Sequence, residues 1–352
     1  MSTNILQSLP QSAGVWKQAW TRLKTDRVGM VSLLVTLFFI TLALLAQLGL
    51  VANDWQKEVG VPFAAPHIVG KIADGTQNAV VETVVGPNVD ISDVDPLASR
   101  YKEWEDRATK FETTVTVKAD TLAFGADQQG RDVLSKVIKG AQVSITVGLA
   151  AALFATLIGT ILGAIGGYFG GPVGDFLEWV YNVFTAIPYI LLVFALAAVL
   201  KSGPLAGTLG SGVWTVVIIL SMVGWTGIYR LVRAEYIKHR AREYVMAAQA
   251  IGASHASRMF THILPNISHV ILVQLSLHVV GFIKAEVILS FLGLGVPIDM
   301  VSWGTMLAEA QTELVQGKWW QLVAATTFMA CFVTAFALLT DALRDALDPK
   351  LR

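Results

Sequence analysis

Charged residues are scarce in this chain. Only 15% of its 352 residues are Asp, Glu, Lys or Arg, whereas 54% are hydrophobic, and the mean hydropathy is +0.58. A soluble domain carries roughly 25% charged residues, so the shortage excludes an ordinary soluble enzyme and indicates a protein of the lipid bilayer. The 26 basic and 26 acidic side chains cancel, which excludes a strongly basic nucleic-acid-binding protein.

The residue patterns of metal, nucleotide and catalytic sites are also missing. The single cysteine, Cys331, cannot form an intrachain disulfide, and no Cys/His cluster occurs, so we expect no metal site. Asp90, Asp93 and Asp95 lack the Gly and distal Glu of a calcium loop and are expected to form a solvated face. No Gly-x-x-x-x-Gly-Lys-Ser/Thr run occurs, which excludes a Walker A loop. No Ser/His/Asp grouping stands out, and we therefore predict no catalytic residues in this chain.

Six apolar runs are long enough to cross a bilayer, whose hydrocarbon core needs about 20 helical residues. They cover 28–51, 143–168, 179–200, 213–229, 267–294 and 319–340. The predicted fold class is therefore an all-α membrane protein with six transmembrane helices. The first run is longer than the roughly 7–15 apolar residues of a signal peptide, so we expect an uncleaved span. Asn182 and Pro188 are expected to bend the third run or to satisfy its backbone.

The basic residues predict which side of the membrane each segment occupies. The tail 1–27, the segment 230–266 and the residues after 340 together hold thirteen Lys or Arg residues, whereas the opposite short loops hold two. Because short segments rich in Lys and Arg stay in the cytoplasm, both termini and 230–266 are expected there. The long loop 52–139 is then external. It contains strand-like runs at 79–85 and 113–117 and a helix-like run at 97–112.

The cytoplasmic segment 230–266 carries the most informative pattern. Residues 241–251 are rich in helix formers, and Gly252 follows where a left-handed glycine commonly ends a helix. Ser254 is suited to cap a second short helix over 255–263, which Pro265 is expected to stop. Small side chains at this turn would let another protein approach closely. A plain amphipathic linker is the alternative.

Four segments resemble a known family. The run 246–252, with Leu264 and Pro265 after it, resembles the EAA loop of ABC importer permeases, although Met246 replaces the usual Glu and His262 the usual Ile. Three further segments are similar to signatures of the dipeptide/oligopeptide/nickel subfamily: 125–135, 289–295 with 302–304, and 341–352. Their order resembles that of the second, C-type permease subunit of such importers. The external loop is longer than is usual for that subunit.

The resemblance implies a type I ABC importer permease fold. Its parts would be a cytoplasmic tail 1–27, a first span 28–51, the external loop 52–139 and a five-helix core 140–352. The family further implies a heterodimer with a second, homologous permease in a bacterial inner membrane, surrounded by membrane lipid. Two ATP-binding subunits would hold ATP and Mg, an external solute-binding protein would deliver cargo, and this chain would need no cofactor.

In this family the EAA loop contacts the ATPase, so the resemblance assigns a coupling site here. The coupling residues would be Met246, Ala247, Ala248, Gly252, Ala253 and Ser254. Closest approach is expected at Ala247, Ala248 and Gly252, and peripheral charges at Arg240, Arg242 and Glu243. A Gly252→Asp substitution is expected to leave membrane insertion intact and to uncouple ATP hydrolysis from uptake.

Two charges within the fifth run, Lys284 and Glu286, are costly in a bilayer. They could line the pathway or contact the second permease, or they could be structural. Because they are two positions apart, they do not readily pair with each other.

For the cargo, the subfamily implies peptides first, and nickel chelates or other small peptide-like solutes as the alternative. An ion-coupled secondary transporter, which often shows repeated halves, and a membrane enzyme are the rival classes.

Overall fold

The computed structural model describes residues 15–70, 96–97, 100–108, 118–202, 212–297 and 299–347. The chain divides into two compact units, one formed by Met1–Trp55 with Leu134–Arg352 and the other by Gln56–Val133. Several sequence predictions lie outside the described residues: the strands at 79–85 and 113–117, the acidic group 90–95, and the last part of the 341–352 signature.

The described residues are mainly helical. In chain order the elements are α1 Val15–Thr25, α2 Arg27–Gln47, β1 Gly60–Pro66, α3 Tyr101–Ala108, β2 Ala119–Leu122, α4 Val133–Phe169, α5 Gly171–Thr185, α6 Tyr189–Ser202, α7 Val213–Arg240, α8 Glu243–Ala250, a π turn Ser257–Ile263, α9 Leu264–Phe291, α10 Trp303–Val315 and α11 Trp320–Leu347.

Five described helices are long and apolar enough to cross a membrane: α2, α4, α7, α9 with its π turn, and α11. The third predicted run is not one straight helix, because α5 and α6 meet at an angle of 89°. The break falls just before Pro188, which has no N–H to donate and disfavours helical geometry at the residue before it. Counted as one broken span, this pair brings the number to the six predicted.

Helix ends differ from the apolar runs in three places. The first span ends at Gln47, before the predicted 51. The second begins at Val133, inside the predicted external loop 52–139, because its first turns contain Lys136 and Lys139, which hydropathy alone excluded. Lys136 is buried and paired with Glu309 of α10. The fourth continues from the predicted 229 to Arg240, carrying charged residues beyond the apolar run.

Glycines on one face of α4 allow it to touch the backbone of α7. A Cβ atom on Gly159, Gly163 or Gly167 would lie 2.5, 2.7 and 2.5 Å from successive carbonyl oxygens of α7. These glycines recur every four residues, which places them on a single face of the helix. In lipid, no hydrophobic driving force holds helices together, so their association depends on close van der Waals packing. Small residues such as these glycines allow that close packing.

The unit Gln56–Val133 holds the two described strands, β1 and β2, which pair in parallel. Neither coincides with a predicted strand. Within the helix predicted over 97–112, the described residues form α3, Tyr101–Ala108. In the 125–135 signature, the Asp127 carboxylate accepts hydrogen bonds from the backbone N–H of Gln129 and Arg131, at 2.9 and 3.0 Å, and from Arg131 Nε at 2.7 Å. The Asp127 carboxylate therefore fixes the backbone conformation of this turn.

Candidate functional site

The segment between α7 and α9 is a short helix followed by a fixed turn. Helix α8 spans Glu243–Ala250, close to the predicted 241–251. Gly252 has φ +86°, as a left-handed glycine should. Its N–H donates to Gln249 O at 3.0 Å, and the N–H of Ala253 donates to Ala248 O at 3.0 Å. These two bonds form a Schellman motif, which defines the direction in which the chain leaves α8.

The predicted second helix is present, but it does not stop before Pro265. Ser254 Oγ accepts from the N–H of Ser257 at 3.2 Å, as an N-cap does. The π turn Ser257–Ile263 then runs directly into α9, with Pro265 in the first turn of that helix. Proline has no N–H to donate, so the helix continues past it only where the backbone around it is satisfied in another way.

Compensating bonds make the passage from π turn to α9 continuous. Leu264 donates its N–H to Met259 O, five residues back, which is the wider π spacing. Asn266 Nδ2 donates to His262 O at 2.7 Å. From His255 onwards the π turn and the fifth span therefore form one uninterrupted helix.

One face of the segment is anchored in the protein. Val245 belongs to a buried cluster with Met259, Ile263 and Tyr236, and Tyr236 Oη donates to Met259 O at 3.1 Å. Ala248 follows Val245 by three residues on the same helix face and is only 4% exposed. In this conformation the Ala248 side chain packs inside this chain, and the close approach expected of it to another protein stays a prediction.

The opposite face is open and apolar. Met246, Ala247 and Gly252 are exposed, and a Cβ on Gly252 would meet no atom within 4 Å. Ile251, which the sequence analysis did not single out, is 85% exposed, and Phe260 is 48% exposed. An exposed apolar patch outside the bilayer is typical of a surface that another protein covers. We call Met246, Ala247, Ile251, Gly252 and Phe260 the α8 patch.

The charges around the segment have different roles. Arg242 and Glu243 are exposed, as peripheral charges would be. Arg240 is exposed as well, and its Nη1 donates to Tyr168 O at 2.8 Å, which ties the end of α7 to the last turn of α4. Arg258, which sequence reasoning missed, donates from Nη1 to Gln249 Oε1 at 2.7 Å and joins α8 to the π turn.

Aromatic groups complete the scaffold around α8. Tyr168 Oη lies 3.1 Å from His255 Nδ1, and the two rings meet edge to face. Tyr244 Oη lies 2.8 Å from His239 Nδ1. Burial raises the pKa of Tyr244, so its phenol stays neutral and available to this hydrogen bond at cellular pH. Both contacts hold α8 and the π turn against the ends of the neighbouring spans.

Glu286 lies inside the protein and connects three elements. Its carboxylate accepts hydrogen bonds from Ser144 Oγ of α4 at 2.7 Å and from Ser290 Oγ at 2.6 Å. Ser144 Oγ in turn accepts from the N–H of Trp303, at the start of α10, at 3.2 Å. Glu286 has no exposed surface in this conformation, which favours the structural alternative for it.

Lys284 lies two residues earlier on α9 and is exposed. A separation of two residues turns the side chains to different helix faces, so the two charges that were considered together have opposite surroundings. Among the described residues, no group of three or more His, Cys, Asp or Glu side chains is arranged to hold a metal ion.

Comparison with known proteins agrees with this architecture. Residues 143–352 match the family described as binding-protein-dependent transport system inner membrane component. Residues 14–67 match the N-terminal TM domain of oligopeptide transport permease C.

Two curated relatives come from Bacillus subtilis (strain 168). The dipeptide transport system permease protein DppC is 31% identical over 96% of this chain and 86% of its own length. The oligopeptide transport system permease protein OppC is 30% identical over 97% of this chain and 92% of its own length. A solved structure, described as the crystal structure of an amino acid ABC transporter with histidines, covers 60% of this chain and 94% of its own, with 16% identity and a TM-score of 0.44. The family match over more than half of the chain, together with relatives of this identity over nearly its whole length, shows that this protein belongs to the inner membrane components of binding-protein-dependent ABC transport systems.

Proposed function

We propose that this chain is the C-type permease subunit of an ATP-driven peptide importer. It forms half of the translocation pathway, and a second, homologous permease forms the other half. The relatives named as dipeptide and oligopeptide permeases support peptides as the cargo. The observation that carries the proposal is the α8 patch, an exposed apolar surface that is followed, after the turn at Gly252, by a helix continuing into a membrane span.

The α8 patch is the coupling surface of this proposal. Met246, Ala247 and Gly252, with Ala253 and Ser254 beyond the turn, contact one of two ATP-binding subunits. Ile251 joins this set because it is the most exposed apolar side chain of the segment. Those partner subunits hold ATP and Mg, and this chain hydrolyses nothing itself.

Two routes carry the motion into the membrane. The first runs from the Schellman turn to Ser254 and then along the helix that contains the π turn and α9. The second runs through Val245 and Met259 to the buried faces of α7 and α4. Because packed interfaces adopt discrete arrangements, closure of the ATPase pair drives the spans between inward- and outward-open states as rigid bodies.

The surroundings follow from the same proposal. The protein lies in a bacterial inner membrane with both termini in the cytoplasm, as the distribution of basic residues favours. An external solute-binding protein delivers the cargo, and Lys284 faces the pathway.

Reconstitution tests the function. The complete assembly, with both permeases, both ATP-binding subunits and the binding protein, is placed in proteoliposomes, and uptake of a radiolabelled tripeptide is followed. We expect uptake that requires ATP and every subunit. Uptake of nickel chelates but of no peptide would replace the cargo assignment, and gradient-driven uptake by this chain alone would identify a secondary transporter instead.

A further inference from the structure

One face of α9 stays uncovered along the outer half of the span. Leu277, Gly281, Lys284 and Ile288 are all exposed, and their spacing of four, three and four residues places them on one side of the helix. We call these four residues the α9 stripe. The opposite side of the same helix is buried and holds Glu286.

Lys284 is the charged member of the α9 stripe. It lies seven residues before the end of α9 at Phe291, which is about 10 Å along the axis. Among the residues that the structure describes, no carboxylate lies within salt-bridge distance of its Nζ. A cation at this depth is costly against lipid tails, so it needs water or an anion in front of it.

Space for such an anion exists next to Lys284. A Cβ on Gly281, one turn away, would meet no atom within 4 Å. Towards the cytoplasm the stripe continues at Leu277 into a cavity of about 380 Å³. Arg344 and His269 line this cavity, and none of its lining residues is Asp or Glu. The described residues of the α9 stripe and of this cavity therefore include basic side chains and no carboxylate.

We propose that Lys284 binds the C-terminal carboxylate of the transported peptide. This inference rests on the proposed peptide importer. A free carboxylate is the one anionic group that every unmodified peptide carries, so a contact with it recognises the cargo whatever its side chains are. The open space at Gly281 lets the peptide backbone approach α9 beside that contact. The Lys284 ammonium and the peptide carboxylate form a charge-assisted hydrogen bond.

A pair of probes tests this assignment in the reconstituted complete assembly: trialanine and trialanine amide, which lacks the carboxylate. Binding of both probes to the isolated binding protein is measured first, and uptake is followed at saturating concentrations. Lys284→Gln is expected to lower trialanine uptake about 10-fold, as loss of a hydrogen bond between charged groups does. Lys284→Arg is expected to retain most of it. Uptake of the amide should be the same in wild type and Lys284→Gln.

A second measurement does not depend on the binding protein. Saturation-transfer NMR of the transporter alone should show trialanine contact in the wild type and its loss in Lys284→Gln, with no change for the amide. Equal losses for both probes would overturn the proposal and point to an ion pair with the second permease. No loss for either would overturn it too, and would leave Lys284 extended to the lipid headgroups. Absence of ATP-dependent trialanine uptake by the wild type would instead refute the peptide importer itself.

Discussion

Substitution of Gly252 tests the coupling surface most directly. The residue has φ +86°, and its hypothetical Cβ faces open space. An L residue in this left-handed conformation costs roughly 1–2 kcal/mol, with Asn the residue that tolerates it best. That energy alone changes the population of the turn by a factor of about 5–30. An aspartate adds an unpaired charge at the surface that the ATPase would bury, at a further cost of several kcal/mol.

The series Gly252→Asn, Gly252→Ala and Gly252→Asp therefore separates backbone strain from close approach. If the left-handed turn alone matters, Asn should transport better than Ala. If the ATPase lies against the glycine, all three should fail, and Asp should fail most completely. The assay measures ATP hydrolysis and peptide uptake in the same proteoliposomes. We expect Gly252→Asp to insert normally and to reduce uptake at least about 10-fold per ATP hydrolysed, from the energies above.

A matched control exists in the same chain. Gly317 has φ +77°, also faces open space, and ends α10 with the same pair of Schellman bonds. It lies between the fifth and sixth spans, in a different part of the chain from the segment 230–266. Gly317→Asp should carry the same strain and leave coupling unchanged. Normal transport by Gly252→Asp, or equal uncoupling by Gly317→Asp, would refute the reasoning.

Three further substitutions test the site and its support. Ile251→Asp should change the free energy of unfolding by less than about 0.5 kcal/mol and should abolish pull-down of the ATP-binding subunit. Val315→Asp is the control, because the Val315 side chain on α10 is 89% exposed, and it should not affect pull-down. Glu286→Ala leaves its serine partners unsatisfied and should destabilise the protein by about 2–4 kcal/mol, seen as a lower melting temperature; an unchanged melting temperature would contradict the buried network. Gly163→Val should separate α4 from α7 and lower the yield of folded protein in detergent, while Gly281→Val, in open space, should not.

Local chemistry made much of the architecture predictable. The spans follow from the length of the apolar runs, and the bend of the third span follows from Pro188. The end of α8 and its turn were predictable because a glycine after a helix adopts the left-handed conformation more easily than other residues. Each of these features depends on residues within a few positions of one another.

Other features depend on partners distant in sequence, and these were missed. Helix α4 begins earlier than predicted because Glu309, far along the chain, pairs with Lys136. The second cytoplasmic helix does not stop at Pro265, because a π turn and the Asn266 side chain satisfy the backbone around it. Neither compensation leaves a periodic pattern in the sequence.

The amino-acid sequence by itself determined that this protein is a bundle of membrane helices with a small-residue turn between its fourth and fifth spans, because apolar length and glycine conformation are local properties. Only the tertiary structure decided which way each helix is rotated. Ala247 and Ala248 are adjacent, yet Ala247 is exposed and Ala248 is buried. Lys284 is likewise exposed, whereas Glu286, two residues later, is buried. The rotation of a helix about its axis is set by the neighbours it packs against, and no single segment contains that information.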